Sequence, residues 1–174
     1  MKPYYLANIQ KKGFLNFGIL LKIKYKLTRI MNKKLIIILT YCGSIPFIFF
    51  TYLKLKKQIF FLNINIDYLF LSYSTIILSF ICGIHFAYAL SRSKLTAKFL
   101  LLSNICCLIC WLALLIKAHF ALIILITLYC GNLYIDYLAY KNKLIKKWFI
   151  KLRVNITIIV LITILINLAL LIEA

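Results

Sequence analysis

The side chains able to do chemistry are few: three carboxylates (Asp67, Asp136 and Glu173), two histidines (His85 and His119) and six cysteines in 174 residues. General acid–base or nucleophilic catalysis needs a titratable group with a partner at usable spacing, and no serine or cysteine here has a base so placed. A hydrolase or transferase is therefore disfavoured, and the chain is expected to act without catalysis. Cys107-x-x-Cys110 matches a redox or metal spacing, but all six cysteines (Cys42, Cys82, Cys106, Cys107, Cys110 and Cys130) fall in apolar runs where thiolates are unfavourable. They read as small core residues, with no metal and no cofactor expected. A haem held by His85 and His119 fails on depth, because the two lie near opposite ends of their runs.

The elements that position these groups are apolar. The chain is 65% hydrophobic with a mean hydropathy of +1.00, too apolar for a wetted soluble domain. A bilayer core of about 30 Å needs roughly 20 apolar residues at 1.5 Å each, and five runs qualify, over 35–53, 66–90, 99–116, 118–139 and 154–172. Strand-like alternation is absent, and backbone in hydrocarbon must pair within its own segment, so the spacing predicts an all-α bundle of five transmembrane helices over 35–172.

Between the runs lie 22 Lys and Arg, which give a formal charge of +19. In a soluble protein that excess points to nucleic acid; here it sorts by side. Eighteen basic residues fall in the N-terminal arm and the second and fourth loops, and four on the opposite side. The positive-inside rule then puts the N-terminus in the cytoplasm and the C-terminus outside, in a multi-pass inner-membrane protein whose first partner is the lipid bilayer. An AT-rich genome would also enrich Lys. Residues 1–34 read as a basic cytoplasmic arm lying on anionic lipid; with Met31 before a Lys-rich flank, 1–30 reads equally well as an extension ahead of the true start.

With this topology His85, Asp136, Trp148 and Arg153 share one depth near the cytoplasmic face. A carboxylate inside a span costs about 2.5 to 3.5 kcal/mol at the centre and less toward an end, so Asp136 calls for a cationic partner, first Arg153 and then His85. The layer is either a structural pair with Trp148 as an interfacial anchor, or a proton- or headgroup-handling site.

Two backbone features add to this. Gly43-Ser44-Ile45-Pro46 places a proline within the first run, which predicts a kink near Gly43, with Ser44 or a neighbouring helix satisfying the carbonyl of Cys42. In the second run Ser79, Gly83 and Ala87 form a small-x-x-x-small series, a face for close approach of another helix or of a partner chain. His85 lies off that face, toward a second neighbour.

Several of these residues also carry a resemblance. Gly43-Ser44-Ile45-Pro46-Phe47, Tyr73 with Ile77-Leu78-Ser79-Phe80, Gly83-Ile84-His85, Trp111-Leu112-Ala113-Leu114, Asp136, Trp148-Phe149, Leu152-Arg153 and Thr157 occur in one order over about 40–167. In this the chain resembles the transmembrane protein 69 family, a bacterial and mitochondrial-type group described as a domain of unknown function. Departures are Cys82 for a usual glycine, Phe86 for a typical tryptophan and Cys106 near an expected proline. The resemblance implies a multi-pass membrane protein and supplies no catalytic residue. The function expected is that of a non-catalytic accessory or assembly component; the alternative is a small oligomeric transporter or lipid carrier using the polar layer.

Overall fold

The computed structural model describes residues 32–90 and 96–172, with side chains described over 32–87 and 99–172. The described residues fall into two units, 32–40 and 41–172. The first is helical; the basic arm otherwise lies outside the described residues.

Among its described residues the second unit holds five helices: α1 (Ile45–Leu55), α2 (Ile66–Leu90), α3 (Thr96–Ala113), α4 (Ala118–Lys141) and α5 (Lys147–Ile172). The stretches Asn32–Leu55, Ile66–Ala87, Ala118–Lys141 and Lys147–Ile172 are long and apolar enough to cross a membrane, while the helix containing Phe99–Ala113 is shorter. Packing is α1 on α2 and α5, α2 on α4, and α4 on α5, with α3 against α2 and α4. Apolar side chains such as Ile76, Phe80, Leu108 and Ile162 face outward, while Ser74, His85, Asn132, Asp136 and Asn167 are buried. Polar groups inside and apolar groups outside is the arrangement a hydrocarbon solvent favours.

Helix ends explain the boundaries. The chain turns at Gly43 and Ser44 and α1 restarts with Pro46 in its first turn, where a missing N–H costs nothing. Ser44 Oγ donates to Tyr41 O at 2.7 Å and Tyr73 Oη donates to Gly43 O at 2.9 Å. The break falls where proline places it, but the carbonyls bonded by side chains are those on either side of Cys42. At the end of α1, Lys57 takes φ 57° while its N–H bonds Lys54 O at 2.9 Å and Gln58 N–H bonds Leu53 O at 3.2 Å. The end of α4 repeats this with Lys143 at φ 60°, Lys143 N–H to Tyr140 O at 2.9 Å and Leu144 N–H to Ala139 O at 2.9 Å. Both are Schellman turns, each with lysine in the left-handed position that glycine normally fills.

The helical fold class holds, and the structure adds detail to it. Strand is present: Phe60–Phe61 (β1) pairs antiparallel with Ile64–Asn65 (β2) across Leu62 and Asn63, both left-handed (φ 51° and 61°), a two-residue hairpin too short to register as alternation. The last helix begins at Lys147 rather than 154, because flanking charges do not stop a helix; Trp148 and Arg153 lie inside it. Within this one chain the small-residue face of α2 is partly open. Ser79 meets Cys107 of α3 (Oγ to Sγ 3.2 Å), but Gly83 and Ala87 are exposed, and a Cβ on Gly83 would meet nothing within 4 Å among the described residues. Small residues permit close approach without compelling it.

Candidate functional site

Asp136 lies five residues before the end of α4, His85 five residues before the end of α2, and Arg153 six residues after the start of α5. At 1.5 Å per residue each is roughly 8 Å inside its helix end, so the shared depth read from the sequence becomes a shared level in the bundle. His85 Nε2 is 3.0 Å from Asp136 Oδ1, and Arg153 Nε donates to Asp136 Oδ2 at 2.8 Å. The carboxylate thus accepts from both candidate partners rather than one. The three side chains are 0%, 1% and 9% exposed for His85, Asp136 and Arg153. As a carboxylate, Asp136 offers only acceptors, which fixes Nε2 as the protonated nitrogen of the imidazole in this hydrogen bond.

Toward the end of α4, Ala139 joins Phe99 and Ile135 in a buried apolar cluster with Leu138 and Leu144 packed on it. One turn in the other direction Asn132 is buried, donating Nδ2 to Leu128 O at 2.8 Å and accepting from Cys82 Sγ at 3.6 Å. Deeper still, Tyr129 Oη donates to Ser74 O at 2.9 Å, and its ring meets that of Phe47 at 6.5 Å. Trp148, the fourth residue expected in this layer, is half-buried with its ring edge-on to Phe149 at 5.7 Å. The carboxylate itself is held by His85 and Arg153.

A second polar cluster forms at the opposite ends of α2 and α5, where α1 joins them. Lys54 in the last turn of α1 pairs with Asp67 in the first turn of α2. Each charge complements the dipole of its own helix end. Asn167 of α5 donates Nδ2 to Thr51 Oγ1 at 2.7 Å and to Thr163 O at 2.8 Å, while Thr51 donates onward to Phe47 O at 2.7 Å. Asn167 Oδ1 is buried and accepts no hydrogen bond among the described residues. Polar residues recurring one turn apart in α5 (Thr163 and Asn167) were the available sequence signal for this cluster. Its partners could not be read, since they depend on how α1 returns into α2.

The family model described as a protein of unknown function, DUF3429, matches residues 32–169. The chain belongs to this DUF3429 family. The matched region of this DUF3429 protein contains both polar clusters and the Gly43–Ser44 turn. No curated protein and no solved structure matches the chain.

Among the described residues, no group of three or more His, Cys, Asp or Glu side chains is arranged to hold a metal ion. Cys107 and Cys110 lie on α3, Cys107 beside Ser79 and Cys110 buried in the bundle. The chemistry that the Asp136 site offers is therefore that of a neutralised buried ion pair with an imidazole as its second donor.

Proposed function

We propose that this DUF3429 protein is a multi-pass inner-membrane protein, N-terminus in the cytoplasm, that serves as a non-catalytic accessory or assembly component. The supporting observation is the enclosure of Asp136. Both its oxygens are engaged, by His85 at 3.0 Å and Arg153 at 2.8 Å, in a site 1% exposed. A carboxylate that handles protons or headgroups needs access from water or a cavity, whereas one that ties α2, α4 and α5 together is served by the enclosed geometry described here. The basic arm and loops supply the orientation, and the resemblance to the transmembrane protein 69 family belongs to the same proposal. Gly83 and Ala87 leave a small-residue surface that a partner chain can approach.

Purification in mild detergent from the native membrane at native expression, with mass spectrometry of bound proteins and lipids, tests the reading. A stoichiometric second protein supports it. A self-oligomer carrying one enriched lipid, with no second protein, overturns it in favour of a carrier.

A further inference from the structure

We propose that the end of the bundle where α1 joins α2 binds an anionic phospholipid, with Lys57 pairing to the headgroup phosphate and the glycerol end of the acyl chains resting on Ile59, Leu170 and Leu171. A cavity of about 490 Å³ opens there between the end of α1, the start of α2 and the end of α5, with Lys54, Lys57, Asp67 and those three apolar residues on its walls. That volume lies within the usual range for small-ligand sites. Its lining is split as a lipid is split, with charges on one part and aliphatic side chains on the other.

The charges decide the class of headgroup. Lys54 and Asp67 cancel each other in their ion pair, which leaves Lys57. Lys57 is exposed and has no carboxylate within salt-bridge distance among the described residues. The described lining therefore carries one net positive charge, which a phosphodiester of charge −1 neutralises. Lys57 is placed there by the Schellman turn, which reverses the chain as α1 ends. A lysine just beyond a spanning helix sits at headgroup level. The adjoining hairpin locates that level independently: Phe60 and Leu62 are 63% and 79% exposed at the same end, apolar groups that a membrane interface would cover.

The full chain in detergent micelles, titrated with phosphatidylglycerol and separately with phosphatidylcholine, tests this by native mass spectrometry of the retained lipid. Phosphatidylglycerol should be retained in preference. Lys57→Gln should lower its apparent affinity about fivefold, the factor expected for one surface lysine. Lys57→Gly, which also relieves the left-handed backbone, should do the same. Lys151→Gln, an exposed lysine at the opposite end of α5, should leave retention unchanged. Equal retention of the two lipids, unchanged phosphatidylglycerol binding in both Lys57 variants, or an equal loss in Lys151→Gln would overturn the proposal. Competition by soluble glycerol phosphate at concentrations equal to the lipid would reassign the site to a free phosphate and overturn the lipid.

Discussion

Tyr73 of α2 donates its phenolic proton to the carbonyl of Gly43, 30 residues earlier, at 2.9 Å, and its ring stands edge-on to Phe47 at 5.1 Å. One side chain thus takes up a carbonyl at the turn ahead of Pro46 and packs against the largest buried residue of α1. Tyr73→Phe removes the hydrogen bond and keeps the ring contact. The expected loss is about 1 kcal/mol, measured by reversible unfolding in mixed micelles. An unchanged midpoint would mean that water or lipid headgroups already satisfy Gly43.

Breaking the buried ion pair should cost more. Asp136→Asn leaves the Arg153 guanidinium buried without its counter-charge, a penalty of about 3–5 kcal/mol. The double variant Asp136→Asn with Arg153→Met removes both charges and should recover most of it. A double-mutant cycle with strictly additive losses would show that the pair carries no coupling.

Lys143 holds a left-handed conformation at φ 60°. For a residue with a Cβ that costs roughly 1–2 kcal/mol, offset in part by the greater unfolded-chain freedom of glycine. Lys143→Gly should therefore stabilise by about 1 kcal/mol in the same unfolding measurement. Destabilisation would show that the Lys143 side chain makes a favourable interaction that outweighs its backbone strain.

Asn167 separates polarity from charge at one position. Asn167→Leu removes two donated hydrogen bonds but also a buried acceptor that receives none, and Thr51 still donates to Phe47 O, so the net change should stay within about 1 kcal/mol. Asn167→Asp places a carboxylate in the same buried position and should cost at least about 2 kcal/mol more. Equal effects of the two would mean that the position is wetter than its 1% exposure indicates.

The His85, Asp136 and Arg153 layer was legible because depth is a one-dimensional quantity. Counting residues from the ends of apolar runs is enough to bring His85, Asp136 and Arg153 to one level, and burial of charge then demands that they meet. Direction around a helix is harder to read. The Ser79, Gly83 and Ala87 face looked like a seam from spacing alone, yet what approaches it depends on the crossing of α2 and α3, and contact is made at Ser79 but not at Gly83. The Lys54–Asp67 pair escaped for a different reason. Its geometry rests on left-handed residues at Lys57, Leu62 and Asn63, and two of those three are residue types that do not announce such a turn.

The contact between His85 and Asp136 requires the ends of α2 and α4 to lie at the same level, so the chain must return across the whole bundle between them. That return is made by α3, 18 residues long, against 26 in α5. At 1.5 Å per residue these are about 27 Å and 39 Å, on either side of a hydrocarbon thickness of about 30 Å. In a bilayer, a helix as short as α3 calls for thinner lipid, snorkelling flanks or association with a neighbour, and one as long as α5 for tilt. The two helices would thus place opposite demands on the thickness of the lipid around one small bundle.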